Sequence, residues 1–235
     1  MVKLELNTNW EFSQAALQEW LPATVPGTIH TDLFDNQIIG DPFYRTHERD
    51  QQWIDKVDWE YRTFFDVPAD WLPYDVIELF FHGLDTYAYI FLNGHFLQKT
   101  DNMFRSWRVN LKRFIREGSN ELLIYFRSPV KKGLANQAHY GIRLPAINDQ
   151  SENGGLGPNK ISVFSRKAGY HYGWDWGPRF VTSGLWRPVE LRAWNHINLS
   201  DVFIRQEKIS REEAALNAKL SLDAQEETTV NLRVE

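Results

Sequence analysis

The stretch Trp59-Glu60-Tyr61-Arg62-Thr63-Phe64-Phe65-Asp66-Val67 decides the fold. Trp59, Tyr61, Thr63, Phe65 and Val67 alternate with Glu60, Arg62 and Asp66. That period of two is what a strand needs when one face is buried and the other meets water. Outward from it, Val76 to Phe81 reads as a more apolar strand. Tyr87 to Leu92 and His95 to Leu97 flank Asn93-Gly94, a strong hairpin signal. Trp107 to Leu111 and Glu121 to Phe126 follow as strands, and Val189, Leu191 and Ala193 alternate with Glu190, Arg192 and Trp194 in a closing one. No β-α-β rhythm appears, so the pattern predicts an all-β, antiparallel, jelly-roll-like sandwich.

Before this block the signals are weaker. Leu4, Leu6, Trp10 and Phe12 suggest one opening strand over residues 4–12, and Gln14 to Trp20 a turn of helix. Val25-Pro26-Gly27-Thr28-Ile29-His30-Thr31-Asp32-Leu33 predicts a tight turn and a short helix capped by Thr28. Residues 44–58 show no clear period and read as a loop or short helix. After Asn195–Leu199 aromatics nearly vanish. Three further alternating segments appear: Val202 to Gln206, Ala218 to Ala224 and Thr229 to Val234. An immunoglobulin-like sandwich needs about seven strands. Three cannot close one, so the expected division is a jelly roll over 1–194 and an incomplete immunoglobulin-like sandwich over 195–235, the start of a longer polypeptide.

Composition narrows the function classes. Among 235 residues, 43% are hydrophobic and 24% charged, ordinary for a globular core. The net charge of -5 argues against nucleic acid and anionic membrane as partners. With no cysteine there is neither a disulfide nor a thiolate metal site. The start Met1-Val2-Lys3-Leu4-Glu5-Leu6-Asn7 lacks the apolar block of a signal peptide, and no apolar run approaches membrane-spanning length. A cytoplasmic location is the expectation. The aromatic share of 14%, with 10 Trp, calls for an aromatic core, exposed binding platforms, or both.

The candidate platform is Gly169-Tyr170-His171-Tyr172-Gly173-Trp174-Asp175-Trp176-Gly177-Pro178-Arg179. Its Gly and Pro residues exclude a regular helix or central strand, leaving a shaped loop. An indole covers the C–H face of a sugar, and a carboxylate accepts two hydroxyl hydrogen bonds at once. The same rings could plug the end of a sandwich. Asp175 between two Trp favours binding, since a carboxylate in an apolar plug would need a partner.

Cleavage chemistry is missing. Glycoside hydrolysis usually needs two carboxylates about 5–10 Å apart. The loop supplies Asp175 alone, and Asp149 and Glu152 lie in a Gly-rich segment ill suited to fixed geometry. There is no Gly-x-Ser-x-Gly elbow and no His-Glu-x-x-His. Gly173 between His171 and Asp175 argues against a metal site, and no cofactor is expected. Asn120-Glu121 reads as strand-edge polarity. Arg166, Arg179 and Arg187 are expected to pin loops by pairing with carboxylates, and Trp107, Trp186 and Trp194 to lie in the core. Tyr170 and Tyr172 stay undecided. The chain should bind rather than cleave.

Gly173-Trp174-Asp175-Trp176-Gly177-Pro178 and Gly184-Leu185-Trp186-Arg187-Pro188-Val189-Glu190-Leu191 resemble the amino-terminal domain of glycoside hydrolase family 2 β-mannosidases. Supporting stretches include Asp41-Pro42-Phe43-Tyr44, Trp59-Glu60-Tyr61-Arg62, Phe81-His82-Gly83-Leu84-Asp85-Thr86, Leu92-Asn93-Gly94, Met103-Phe104-Arg105 and Arg166-Lys167-Ala168. The resemblance implies a galactose-binding-like jelly roll, an immunoglobulin-like sandwich and a (β/α)₈ catalytic barrel that removes terminal β-mannose with retention. Its two catalytic glutamates would lie on the barrel, so no catalytic residue is expected in 1–235. It further implies that Asp175 binds mannose hydroxyls across the domain interface, with Trp174 shaping the pocket. Partners would then be a β-mannoside and the barrel. Tyr44-Arg45-Thr46-His47-Glu48 departs from the Asn-Glu expected after the tyrosine. Two other readings remain: a free-standing carbohydrate-binding module, and a family 2 relative acting on β-galactosides or β-glucuronides.

Overall fold

The computed structural model describes residues 1–231 and 233. The strands are β1 (Val2–Glu5), β2 (Trp10–Gln14), β3 (Leu21–Ala23), β4 (Trp59–Val67), β5 (Val76–Phe81) and β6 (Ala88–Leu92). They continue with β7 (His95–Lys99), β8 (Trp107–Asn110), β9 (Gly118–Phe126), β10 (Val189–Trp194), β11 (Ile197–Ile209) and β12 (Ala214–Ala224). The α-helices are α1 (Ile29–Asp35), α2 (His47–Asp50) and α3 (Pro129–Tyr140).

A six-stranded sheet, β3-β2-β4-β9-β6-β7, faces a four-stranded sheet, β1-β10-β5-β8. All ladder pairs within both are antiparallel. The fold is therefore the all-β sandwich expected. In β4 the alternation becomes burial: Trp59, Tyr61, Thr63, Phe65 and Val67 point inward. Register aligns Tyr61 with Ile124 of β9, and Ile124 with Ile90 of β6, giving one apolar row across the sheet. Leu79, Phe81 and Leu191 of the opposite sheet close on it. Each such side chain contributes about 1.5–3 kcal/mol of burial. The β6–β7 hairpin turns at Asn93 and Gly94, with φ of 51 and 79, as a two-residue turn demands. Asn93 Nδ2 donates to Asn120 Oδ1 at 2.9 Å, and Asn120 in turn donates to two backbone carbonyls. Asn120 is thus consumed by turn structure.

Four expectations need correction. Residues 4–12 are not one strand. Asn9 takes a positive φ of 58, and the chain crosses from β1, paired with β10, to β2, paired with β4. Gln14 to Trp20 is no helix: Gln14 ends β2, residues 15–17 turn, 18–20 are irregular, and β3 begins at Leu21. Pro22 fits there because β3 is an edge strand. Helix α3 was not expected at all, although Ser128 accepts the Lys131 N–H at 3.0 Å, Pro129 opens it and left-handed Gly141 ends it. In the last region, Val202 to Gln206 and Ala218 to Ala224 lie in the long β11–β12 ribbon, whereas residues 229–231 and 233 form no strand. The rest of the third expected segment, Leu232 and Val234, lies outside the described residues.

Helix α1 is joined to the core by Asp32, which accepts hydrogen bonds from the Tyr61 hydroxyl at 2.6 Å and the Thr24 N–H at 2.8 Å. Among the described residues no helix is long and apolar enough to cross a membrane.

Candidate substrate-binding loop

The loop carrying Trp174 and Asp175 is held from both sides. A short 3₁₀ turn, Gly169–Tyr172, leads in and drops Tyr172 into a small second core with Val130, Ile161 and Val181. Tyr170 is exposed, so the two tyrosines take opposite sides. Gly173 follows with φ 97, and a Cβ there would come within 2.8 Å of the Gln150 side chain. The close approach serves a purpose. Gln150 accepts nothing from the turn but donates twice, its N–H to Tyr172 O at 2.8 Å and its side-chain amide to Trp174 O.

The exit is anchored by Arg179, which has no exposed surface. Its Nη1 donates to Gln52 Oε1 at 2.6 Å and pairs with the Asp55 carboxylate. Its backbone N–H donates to Glu48 Oε1 at 2.8 Å, and its carbonyl accepts from Gln52 Nε2 at 2.8 Å. Gly154 lies against the guanidinium so closely that a Cβ would sit 2.6 Å from Cζ. The expected pairing of Arg179 with a carboxylate holds. Glu48, in the segment that departs from the family pattern, caps this anchor.

Between the anchors the Trp174 N–H closes a tight turn on Gly177 O at 3.1 Å. Trp174 is half-buried, Trp176 is 82% exposed, and Asp175 is exposed. Among the described residues Asp175 has no hydrogen-bond or ion-pair partner. The carboxylate is not sealed in the sandwich.

Beneath the loop lies a polar cluster. Lys167 and Asp85 are both buried and ion-paired; Lys167 also donates to Thr182 O at 2.8 Å, and Thr182 Oγ1 donates to Asp85 at 2.7 Å. Burial opposes the Asp85 charge, yet Lys167 and His171 outweigh it and hold the carboxyl below its usual range. His171 Nδ1 stands 3.9 Å from Asp85 Oδ2. Burial, with the Lys167 charge, pulls His171 down to about 4. Burial, Lys167 and His171 pull His30 down to about 3. Both imidazoles are therefore neutral near pH 7. His30 packs on Phe180 at 5.5 Å, and Phe180 on exposed Phe43 at 5.7 Å.

The other acids are occupied. Asp149 is buried and accepts the N–H groups of Ile161 and Ser162 at 2.8 and 2.9 Å; exposed Glu152 pairs with Lys160. Among the described residues no group of three or more His, Asp or Glu is placed to hold a metal. Arg166 reaches Asp101 at 3.5 Å, but Arg187 stacks on Trp186 at 4.2 Å instead of meeting a carboxylate. Trp107 and Trp194 are buried, while Trp186 is half-buried, with its Nε1 donating to Met103 O at 3.2 Å. The Asp85–Lys167 pair and Gln150 escaped sequence reasoning. Only the fold brings residues 82 positions apart together.

Residues 10–187 match the glycosyl hydrolase 2 galactose-binding domain-like family. A β-mannosidase from Bos taurus is 35% identical over 204 residues, covering 84% of this chain and 22% of the relative. β-Mannosidase B from Thermothelomyces thermophilus is 36% identical over 206 residues, covering 86% and 23%. A crystal structure of β-D-mannosidase from Dictyoglomus thermophilum aligns with TM-score 0.88 at 40% identity, over 96% of this chain and 26% of that one. The chain thus spans about a quarter of the length of these relatives. A β-glucuronidase from an uncultured Clostridium, at TM-score 0.60 and 20% identity, shares the fold. The chain belongs to the galactose-binding domain-like family of glycosyl hydrolase 2.

Proposed function

We propose that this chain is the sugar-facing amino-terminal part of a retaining β-mannosidase, and that Asp175 and Trp174 complete the pocket for a terminal β-mannose. The observation that carries this reading is an exposed carboxylate, without a partner among the described residues and flanked in sequence by two Trp, on a loop fixed at both ends. Asp175 would accept two sugar hydroxyls, and the Trp174 ring would cover an apolar sugar face. Because the loop is already ordered, little entropy is lost on binding. The bond itself would be broken by two glutamates on a catalytic barrel outside these residues. Exposed Phe43, Tyr170 and Trp176 suit coverage by that barrel.

Residues 195–235 would begin an immunoglobulin-like sandwich. The β11–β12 ribbon supports this, because it leaves Val202, Phe203, Ile204 and Leu216 exposed, as strands awaiting a second layer do. A cytoplasmic location is part of the same reading. In the complete enzyme, Asp175→Ala should cost kcat/KM on the order of 3 kcal/mol, the loss of two charge-assisted hydrogen bonds. Steady-state kinetics on a chromogenic β-mannoside measure it. A loss under tenfold would remove Asp175 from the pocket.

A further inference from the structure

A groove of about 440 Å³ opens between the β6–β7 hairpin, helix α3 and the segment around Phe164 and Arg166. Its volume is that of a small-molecule site, for which about 300–1,000 Å³ is typical. Four cations line it, Lys99, Arg127, Lys132 and Arg166, against one acid, Asp101. Asp101 is taken by Arg166, at 3.5 Å. Among the described residues the side chains of Lys99 and Lys132 have no hydrogen-bond or ion-pair partner, and Arg127 lies beside the Tyr89 hydroxyl. This surplus of positive charge stands in a chain whose net charge is -5.

The placement of Lys132 carries a cost. It sits in the first turn of α3, where the backbone dipoles already present positive potential and the turn itself carries no acidic residue; the Asp58 carboxylate at that end is engaged by the Ser128 N–H and Lys131. Its neighbour Lys131 escapes by reaching Asp58 at 3.5 Å; Lys132 instead faces the groove. A cation at a helix N-terminus whose own side chain meets no carboxylate among the described residues marks a place where an outside group can supply one.

The rest of the wall is aromatic and fixed. Tyr87 is buried, and its hydroxyl hydrogen-bonds Ser165 Oγ at 3.2 Å. Trp107 Nε1 donates to Asn102 O at 3.2 Å, and the Asn136 amide to Phe164 O at 3.1 Å. Ring faces favour the C–H surface of a sugar, while free ammonium groups favour an anion. A bare anion would not use the rings, and a neutral sugar would not use the charges.

We propose that this groove binds a sugar bearing a carboxylate or a phosphate. The inference stands apart from the reading of Asp175, since no residue of the Gly173–Arg179 loop lines the groove. Calorimetric titration of the purified 235-residue chain at low salt tests it, with four probes: glucuronic acid, mannose 6-phosphate, mannose and inorganic phosphate. Saturable binding of at least one charged sugar, about tenfold or more tighter than mannose or inorganic phosphate, is expected. Which charged sugar binds distinguishes a uronic acid from a phosphosugar. Lys132→Ala should weaken that binding roughly tenfold, as loss of a charged hydrogen bond does. Lys131→Ala should leave it within about twofold, because surface pairs outside a site contribute little. Unchanged thermal melting of both variants excludes a folding effect. Phosphate or mannose binding as tightly as the charged sugars, no saturable binding, or equal losses in the two lysine variants would each overturn the proposal.

Discussion

Asp175 and Arg179 are charged residues four positions apart on one loop, and they live in opposite surroundings. Arg179 is fully buried, saturated on both sides of its peptide and paired with Asp55. Asp175 meets solvent and touches no partner among the described residues. The difference separates two tasks that a linear motif merges. One charge shapes the loop by giving up water for protein contacts, and the other stays available to a ligand because it does not.

That contrast can be broken most forcefully at Arg179. Arg179→Ala would strand Asp55 as a buried, unpaired carboxylate and leave a void beside Gly154. The expected loss is about 3–5 kcal/mol in chemical denaturation, the range for breaking a buried ion pair. A loss under about 1 kcal/mol would mean that the anchor is not an anchor.

The floor of the loop sharpens the contrast through pH. His171 is depressed from 6.5 to about 4, so the folded state binds fewer protons than the unfolded chain. Its stabilising share is complete above about pH 6.5 and is lost as pH falls toward 4. His30 acts in the same direction, from 6.5 to about 3. Asp32, pushed up to about 6 by burial, works in the opposite sense, so the wild-type curve alone mixes the two. The difference in stability between wild type and His171→Gln isolates the histidine. It should shift by on the order of 2–3 kcal/mol against the wild type between pH 7 and pH 4. A difference independent of pH would mean that His171 is charged, or solvated, in the fold.

The smallest expected effect lies at the tip. Asp175→Ala and Trp176→Ala should each change stability by less than about 0.5 kcal/mol, as surface substitutions do. A melting-temperature change comparable to that of Arg179→Ala would place the tip in the structural part of the loop.

Much of the sandwich was legible because burial on one face leaves a mark in sequence. β4 reads directly, since Tyr61 and Phe65 are spaced by the pleat itself. Asn93-Gly94 reads because few residue pairs accept two positive φ angles. The single strand expected over 4–12 failed for a physical reason: Leu4 is exposed on β1 and Phe12 buried on β2, in different sheets, and periodicity does not record which sheet a strand joins. Helix α3 went unseen although Ser128-Pro129 and Gly141 bracket it, because its polar residues mask any apolar stripe. At the site, the bend and its exposed acid followed from Gly, Pro and Asp chemistry. The anchors did not, since Glu48, Gln52 and Asp55 reach Arg179 across more than a hundred positions.

The order of the four-stranded sheet has a consequence during synthesis. β10 is inserted between β1 and β5, so two strands made early wait for one made late. Until residue 194 has left the ribosome, the edges of β1 and β5 that β10 will cover stay open and the four-stranded wall of the core is incomplete. Closure is therefore a long-range event that joins Val2–Glu5 to residues nearly two hundred positions later. A nascent chain paused before Val189 would hold an open sandwich with apolar side chains still exposed.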